Sequence, residues 1–361
     1  MYAKRLVLKN FRNYESLDIE LSPHTNIIRG KNAQGKTNLL EALYFCATGR
    51  SHRTTKEKEC IRYDASEAEI HMLYQTSREG KIDMVLKKSG QKTVYAAVDG
   101  EPVKRLSDLF GNFHVVVFSP EDLSLIKNEP GRRRRFMDME LCQVDKLYLF
   151  NLQQYNHILK QRNQLLKDAY ENPSLREQIA VWDMQLAEYG VKILNRRYEF
   201  IEELYRYTLP IHESITAGGE NLTISYESSA ERDADGFYQH LERNRERDIR
   251  LGSTSVGPHR DDIALFLDGA DVRSFGSQGQ QRTTALSMKL AEFEMLKKET
   301  GQAPVLLLDD VMSELDGDRQ KKLLQYIEEN QTIVTCTGIE ESLFSLPAGA
   351  VFEIGGGKVI A

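Results

Sequence analysis

GKNAQGKT, the segment from Gly30 to Thr37, carries the most specific pattern in this sequence. It fits Gly-x-x-x-x-Gly-Lys-Ser/Thr, a loop whose backbone N–H groups and following helix N-terminus face the β- and γ-phosphates of a nucleotide. The apolar run Thr25–Arg29 predicts a buried strand that enters the loop, and Thr37–Phe45 predicts the helix that leaves it. A chance glycine-rich turn is the alternative, but the strand-loop-helix setting favours a nucleotide site.

Nine consecutive residues of this loop are expected to contact the nucleotide: Gly30, Lys31, Asn32, Ala33, Gln34, Gly35, Lys36, Thr37 and Asn38. The Lys36 ammonium adds positive charge beside the phosphates and is therefore also a candidate catalytic group. The Thr37 hydroxyl is a candidate Mg²⁺ ligand, because the threonine of this pattern binds the metal ion. The loop alone indicates a nucleotide and no particular reaction.

An acidic motif lies far downstream, in Val305-Leu306-Leu307-Leu308-Asp309-Asp310. An apolar run of this length predicts a buried parallel strand, which delivers the residues at its end to the carboxyl edge of a sheet. We assign Asp309 to the Mg²⁺ ligands and Asp310 to a catalytic role, the orientation of the attacking water. A strand that ends in an unrelated Asp-Asp turn is the alternative. Gln331–Thr335 predicts a further short apolar strand.

Between these motifs lies Ser274–Arg282, which reads SFGSQGQQR and precedes a helix-forming run. A serine and glycines at a helix start offer a hydroxyl and N–H groups to an anion, so Ser277, Gly279 and Gln280 are candidate nucleotide contacts. A plain helix N-cap explains the same residues without a ligand. Asp316, which follows the acidic motif, is a further candidate contact.

The nucleotide motifs are separated by about 240 residues, far more than one compact nucleotide-binding sheet needs. Within this gap, apolar residues recur at three- and four-residue steps from Leu141 to Leu166 and again from Ile179 to Leu204, which predicts two helices. Glu171-Asn172-Pro173-Ser174 is a turn signal between them, so an antiparallel helical hairpin is expected. Residues 121–215 would span at most about 70 Å doubled back, which makes them an arm and excludes a long coiled coil.

The order of the motifs resembles the ATP-binding cassette (ABC) ATPases, and the whole sequence resembles the RecF family, which belongs to the SMC-like group of these enzymes. The segments that carry the second resemblance are Met1–Tyr14, Ala47–Arg53, Phe118–Asp122, Gly131–Asp138 and Gly257–Asp262. The resemblance implies an α/β fold. We expect an ABC-type ATPase head with a P-loop sheet, formed by residues 1–120 and 216–361 and interrupted by a helical-hairpin arm, or lobe II, at 121–215.

The same resemblance implies an activity in DNA replication, recombinational repair and the SOS response. It predicts a homodimer that forms with ATP and Mg²⁺, with Ser277 of one subunit at the nucleotide of the other. This dimer would bind DNA, both duplex and single-strand/double-strand junctions, with little sequence preference. With RecR-like and RecO-like proteins it would load RecA at single-strand gaps. Because Asp310 stands where many ABC ATPases have the longer glutamate, we expect a weak, DNA-stimulated ATPase that serves as a timer.

Several basic residues are further candidates. Arg50, in the loop after the P-loop helix, is expected to reach the γ-phosphate as a catalytic group, as the resemblance to SMC heads implies. Arg12, in the N-terminal turn, is a candidate neighbour of the nucleotide together with Asn13. His259 matches a motif of the family, but a hydrogen-bonded structural histidine explains it equally well.

Charged residues of the inserted segment have weaker signals. Candidates for DNA contact, by position alone, are Lys160, Arg162, Lys167, Arg196 and Arg197. The run Arg132–Arg135 could grip phosphate, although a solvated or ion-paired face is the commoner explanation. Arginines alternate with carboxylates from Glu242 to Arg250, which predicts an exposed, salt-bridged helix without a function.

Composition is compatible with these expectations. The chain has 361 residues, of which 40% are hydrophobic, so it can form an ample core in about two domains. Its net charge of −6 does not indicate a nucleic-acid binder, and DNA contact would need local basic clusters. The cysteines have no metal-ligand spacing, and no signal segment or long apolar run is present, so we expect a cytoplasmic, nucleoid-associated protein without a membrane partner.

Two other functions remain open at this stage. A nucleotide-binding subunit of an ABC transporter would carry similar motifs, but it would need a membrane partner and normally lacks an arm that splits its head. A monomeric P-loop kinase would phosphorylate a small acceptor and would have no use for Ser277 of a second subunit.

Overall fold

The computed structural model describes residues 1–90, 92–337 and 349–360, without the side chain of Glu314. The chain divides into two compact units. The first unit comprises Met1–Asp122 and Lys289–Ala361, and the second comprises Leu123–Met288. All nucleotide-site candidates from Gly30 to Asn38 and from Asp309 onward therefore belong to the first unit.

The strands and helices are named here in chain order. The chain begins with β1 (Tyr2–Phe11), β2 (Tyr14–Glu20), β3 (Thr25–Arg29), α1 (Lys36–Thr48), β4 (Glu67–Gln75), β5 (Glu79–Lys87), β6 (Val94–Val98), β7 (Glu101–Pro102) and β8 (Val115–Phe118). It continues with α2 (Leu123–Lys127), α3 (Pro130–Val144), α4 (Lys146–Glu171), α5 (Ile179–Thr216), β9 (Leu222–Glu227), α6 (Ala234–Leu251), β10 (Asp262–Leu267), β11 (Ala270–Asp271) and α7 (Val272–Phe275). It ends with α8 (Gln278–Thr300), β12 (Val305–Asp309), α9 (Gly317–Glu329), β13 (Thr332–Cys336), β14 (Ala350–Gly355) and β15 (Lys358–Val359).

Two six-stranded sheets form the frame of the first unit. One is antiparallel, in the order β2-β1-β4-β5-β6-β7, and the other has the order β15-β14-β3-β13-β12-β8. In the second sheet the five strands from β14 to β8 are parallel. Because β12 and β13 are buried along their whole length, they read as continuous apolar runs rather than alternating ones.

Helix α1 lies against strands of both sheets, and one hydrophobic core joins all three. Its buried residues include Leu39 and Leu43 of the helix, Leu6 of the antiparallel sheet and Leu307 of the parallel sheet. The sequence therefore places the P-loop helix in the centre of this core. The loop in front of α1 is fixed by the burial of the helix behind it.

The second unit contains the predicted helical hairpin. The helices α4 and α5 pack against each other and are separated by a short turn that starts at Asn172, whose side chain accepts the Ser174 N–H. At 26 and 38 residues they extend about 39 and 57 Å, within the predicted reach.

The boundary of this second unit differs from the expectation. Residues 216–288 were assigned to the head, but β9 pairs with β10, and β9 and α6 pack against α5. The chain returns to the first unit only within α8, at Lys289. The reason is that the hairpin buries the apolar faces of β9 and α6. The sequence of β9 or α6 alone does not indicate which element buries it. The assignment of head and arm as functional domains stays a prediction.

Candidate nucleotide-binding site

The loop between β3 and α1 has the backbone of a phosphate-binding turn. Ala33 and Gly35 have φ of 63° and 114°, so their peptide groups turn away from an ordinary helical or extended path. At Gly35 a Cβ atom would lie 2.6 Å from the Asn13 side-chain amide, which only glycine avoids. The Lys36 ammonium donates to the carbonyl oxygens of Gly30, at 3.0 Å, and Lys31, at 3.3 Å. Carbonyl groups of the loop therefore hold the Lys36 ammonium in place.

Residues distant in sequence hold this loop in place. The Asn13 amide, in the turn between β1 and β2, donates to the Gln34 carbonyl at 2.7 Å and accepts from the Asn38 amide at 2.9 Å. The Gln34 side-chain oxygen accepts the N–H of Gly356 at 2.6 Å. The expected nucleotide contact of Asn13 stays a prediction, but its role as a brace is visible here.

The parallel sheet brings the two acidic residues to the P-loop. Because β3, β13 and β12 are neighbours, their carboxyl ends lie at one edge. The Thr37 hydroxyl donates to Asp309 Oδ1 at 2.8 Å. Lys36 Nζ lies 4.0 Å from Asp310 Oδ2. The structure therefore brings Lys36 and Thr37 next to Asp309 and Asp310, which lie about 270 positions later in the sequence.

Asp310 has two unusual properties. Its φ is 50°, in the left-handed region that residues other than glycine seldom adopt. Partial burial raises the pKa of its carboxyl group, as does the negative charge of Asp309, while the Lys36 ammonium works in the opposite direction. A raised carboxyl pKa beside specific charged partners is a property that functional sites often show.

Thr335, near the end of β13, completes this edge and was not assigned a role from the sequence. Its hydroxyl donates to Asp309 Oδ1 at 2.8 Å and accepts the Asp310 N–H at 3.0 Å. The only signal available in the sequence was a polar residue at the end of an apolar strand. A residue's neighbours across a parallel sheet cannot be read from that signal.

The donor set fits the expected metal ion. The Thr37 hydroxyl and the Asp309 carboxylate are hard oxygen donors within 2.8 Å of each other, and Mg²⁺ binds to one or two such groups together with substrate phosphates and water. No cluster of three or more metal-ligating side chains exists among the described residues. A divalent ion bound to these two groups would take its remaining ligands from phosphate oxygens and water.

A buried glutamate organises the loop that follows α1. Glu41 accepts hydrogen bonds from Nη2 and Nε of Arg12, at 2.5 and 2.8 Å, and also from the Ser51 hydroxyl. Arg53 lies 3.5 Å from the same carboxylate and donates to Asn38. With its guanidinium on Glu41, Arg12 stabilises the elements around the P-loop, and its expected nucleotide contact stays a prediction.

Arg50 differs from its neighbours because its side chain is exposed. Only its backbone bonds to Thr48, and its guanidinium has no hydrogen-bond or ion-pair partner in the described parts of the chain. The structure therefore leaves this charge exposed, and the expected contact of Arg50 with the γ-phosphate stays a prediction.

The signature segment begins α8 and belongs to the second unit. The Ser277 hydroxyl accepts the Gln280 N–H at 3.2 Å, and the Gln280 side-chain oxygen accepts the Ser277 N–H at 2.9 Å. This reciprocal pair is a capping box, and the expected contact of these residues with a nucleotide stays a prediction. Ser277 is nevertheless exposed, and Gly279 lies in the first turn. Asp316 is likewise an N-cap, of α9, where its carboxylate accepts the Arg319 N–H.

Two of the five arm residues expected near DNA are buried, which corrects that expectation. Arg162 is fully buried and donates to Asp183 at 2.6 Å and Asp248 at 2.8 Å. Arg197 donates to the Asp138 carboxylate and to the Pro258 carbonyl, each at 2.7 Å. Such residues cannot reach a phosphate backbone. Exposed side chains remain at Lys160 and Lys167, and Arg196 is ion-paired with a carboxylate of the same unit.

Two other expectations for the second unit also change. The helix α6 is not simply an exposed, salt-bridged helix, because Asp248 is fully buried and Arg245 ion-pairs with the buried Asp183. In the arginine run, Arg133 is buried and forms a bidentate pair with Asp262. These charges hold the unit together internally.

His259 has a structural environment. Its Nε2 donates to the Thr254 carbonyl at 3.0 Å, so its Nδ1 is the acceptor for the Tyr155 hydroxyl at 2.7 Å. Burial lowers the pKa of this imidazole to about 4. The residue is therefore neutral at physiological pH and links α4 to the loop before β10.

Comparisons with known proteins identify the family and agree with the fold. The family described as RecF/RecN/SMC N terminal domain matches residues 2–346. The DNA replication and repair protein RecF of Agathobacter rectalis is 51% identical over 343 residues, which cover 94% of this chain and 93% of that protein. A solved structure of the recombination mediator protein RecF with ATP in the RecFOR pathway is 37% identical, with a TM-score of 0.92, and covers 99% of this chain and 96% of that one.

A more distant structure shows the fold alone. The Smc head domain from Pyrococcus furiosus, solved with an extended coiled coil and bound to the C-terminal domain of ScpA, is 17% identical with a TM-score of 0.56, over 99% of this chain and 96% of that one. The predicted α/β fold of an ABC-type ATPase head is thereby confirmed. Within the described ranges, no helix has both the length and the apolar character that crossing a bilayer requires.

Proposed function

Because this chain belongs to the RecF family of DNA replication and repair proteins, we propose that it is an ATP-dependent DNA-binding protein that dimerises around the nucleotide. It then acts at single-strand gaps and junctions, and RecO-like and RecR-like proteins join it in loading a RecA-like recombinase. The 37% identical RecF that was solved with ATP supports the choice of nucleotide. Because the chain belongs to this family, we prefer this function to the two alternatives, a transporter subunit and a monomeric kinase.

The observation that carries this proposal is the convergence of four side chains at one sheet edge. Thr37 and Asp309 are hydrogen-bonded, and Lys36 faces Asp310 at 4.0 Å. The P-loop N–H groups and the Lys36 ammonium bind the β- and γ-phosphates of ATP, with the ammonium exchanging its loop carbonyls for phosphate oxygens. A nucleotide site of this kind explains each polar group at the edge.

The chemistry follows from these groups. Thr37 and Asp309 hold Mg²⁺, which, when bound, neutralises charge on the phosphates. Asp310 accepts a hydrogen bond from the attacking water and orients it toward the γ-phosphate. Because the aspartate side chain is one methylene shorter than glutamate, this contact is less effective and hydrolysis is slow. ATP turnover then limits how long the dimer stays closed.

DNA binding is the part of the proposal that needs two subunits. With a net charge of −6, one chain repels a polyanion unless basic patches from two copies lie side by side. Arg50, Ser277, Gly279, Gln280 and Asp316 complete the shared nucleotide site. ATP therefore gates DNA binding through dimerisation.

We test this by measuring duplex binding through fluorescence anisotropy over a salt series, with ATP, ADP or no nucleotide. Wild type is expected to bind tightly only with ATP, and Lys36→Ala is expected to bind weakly in all three conditions. The slope of log K against log salt should be about −0.9 for each phosphate contact. Equal affinity in all three conditions, unchanged by Lys36→Ala, would show that the nucleotide does not gate DNA binding.

A further inference from the structure

Thr335 occupies the strand between the two halves of the nucleotide site. It belongs to β13, which pairs with β12 on one side and β3 on the other, and in these pairings it lies beside Asp309 and Ile28. Only 1% of its surface is exposed, and its strand neighbours Ile333 and Val334 are fully buried. A hydroxyl in such a place is costly unless it is hydrogen-bonded.

The hydroxyl of Thr335 is bonded to both acidic residues of the site. Its single proton goes to Asp309 Oδ1 at 2.8 Å, and its oxygen accepts the Asp310 N–H at 3.0 Å. The Thr37 hydroxyl donates to the same Asp309 oxygen, also at 2.8 Å. Two hydroxyls on neighbouring elements therefore fix the orientation of this carboxylate.

The bond from Asp310 has a second effect. Asp310 is in a left-handed backbone conformation, which non-glycine residues seldom adopt and which a hydrogen bond to its N–H helps to hold. The N–H of this residue points to Thr335, so the hydroxyl secures the turn that directs the Asp310 side chain toward Lys36. Loss of the hydroxyl would release the turn and leave the N–H without its partner.

We propose that Thr335 is a positioning residue for ATP hydrolysis, whose hydroxyl sets the Asp309 carboxylate for Mg²⁺ and the Asp310 turn for the attacking water. The inference rests on the proposed function, since it concerns the same ATP site. Because Thr335 is buried and bonded to Asp309 and Asp310, it acts through these two residues.

Another threonine of the same strand provides a matched control. Thr332, at the start of β13, is also fully buried, but its hydroxyl donates to the carbonyl of Asn330, two residues away, at 3.3 Å. Valine has nearly the shape of threonine and suits a buried strand, so Thr335→Val and Thr332→Val remove one hydroxyl each from the same element. Thr335→Ser retains the hydroxyl and loses only a methyl group.

The experiment has two readouts. The affinity of a fluorescent ATP analogue is titrated with and without Mg²⁺, and hydrolysis is followed in single turnovers. For Thr335→Val we expect the Mg²⁺-dependent gain in affinity to fall about tenfold and the single-turnover rate to fall at least as much, because one buried hydrogen bond to a charged group and one N–H partner are lost. Affinity without Mg²⁺ should stay near that of wild type. Thr335→Ser and Thr332→Val should resemble wild type in both readouts.

The outcomes separate this inference from the proposed function. A wild-type protein without Mg²⁺-dependent ATP binding would overturn the proposed function and the inference with it. Normal wild-type binding combined with an unchanged Thr335→Val, or with a Thr335→Ser as impaired as the valine variant, would overturn the inference alone. Thermal unfolding without nucleotide checks folding, and if Thr335→Val does not fold, Thr335→Ala decides in the same way.

Discussion

Asp310 shows how the backbone conformation of one residue can sort two neighbouring side chains. Its φ of 50° lies in the left-handed region, which aspartate adopts more readily than most residues with a Cβ atom. The conformation turns the chain directly after the buried strand, which separates the Asp310 side chain from that of Asp309. Two adjacent carboxylates thereby take different positions, one beside Thr37 and one facing Lys36.

This separation gives a prediction for each carboxylate. Asp310→Asn should bind Mg²⁺-ATP near normally but hydrolyse it about 100-fold more slowly, because an amide orients the attacking water poorly. Asp309→Asn, its control, should weaken Mg²⁺-ATP binding itself. Rapid-quench single turnovers at saturating ATP, together with nucleotide titrations, separate the two effects. Normal cleavage by Asp310→Asn would remove this residue from the mechanism.

The residues that could be predicted are those that belong to local patterns. Lys36, Thr37 and Asp309 were assigned from the sequence because each belongs to a local motif, either the P-loop or the end of an apolar strand. The structure brings these motifs together. Thr335 and Glu41 were missed because their roles depend on neighbours in other elements. A buried glutamate in a helix has no sequence signal until its arginine partner is known.

At the scale of elements, the spacing of apolar residues predicted several strands and helices close to their observed positions. The strand before the loop matches its expected bounds, and the predicted strand at Gln331 begins one residue later, at Thr332. The unexpected result is the extent of the second unit, which includes β9, α6 and β10. These elements have ordinary amphipathic patterns, and the surface that buries them could not be inferred from those patterns.

Buried arginines are the main polar feature of the second unit. Arg162 joins α4 to α5 through Asp183 and to α6 through Asp248, with both carboxylates and the guanidinium fully buried. Removing one member of such a cluster leaves buried charges without a partner. This destabilises the folded state more than replacing the whole cluster by apolar residues would.

We therefore predict that Arg162→Met lowers the free energy of unfolding by about 3–5 kcal/mol. Lys160→Met, an exposed residue on the same helix, is the control and should change it by less than about 0.5 kcal/mol. Urea unfolding followed by far-ultraviolet circular dichroism measures both. Equal effects of the two substitutions would mean that the cluster adds nothing to stability.

At the scale of the whole molecule, the proposed shared site makes ATP part of a dimer interface. Ser277→Arg should bind ATP with near-normal affinity but fail to dimerise, because a bulky cation replaces a small hydroxyl at the exposed helix start. Lys36→Ala should fail to bind ATP at all. Sedimentation velocity with and without ATP distinguishes these outcomes.

Mixing the two variants gives the sharper result. A dimer of one Lys36→Ala and one Ser277→Arg subunit has one site with both defects and one site with neither. ATP should therefore produce a partial population of mixed dimers where neither variant dimerises alone. Dimerisation of Ser277→Arg by itself would contradict the shared site.

The order of strands in the parallel sheet also bears on how the chain is made. In the described part of the chain, the P-loop strand β3 pairs with β13 and β14, which lie about 300 residues later. At a synthesis rate of 5–20 residues per second, β3 waits about 15–60 s on the ribosome before either partner exists. The parallel sheet around the P-loop can therefore be completed only after β13 and β14 have been synthesised, so the P-loop cannot take its final setting before most of the chain exists.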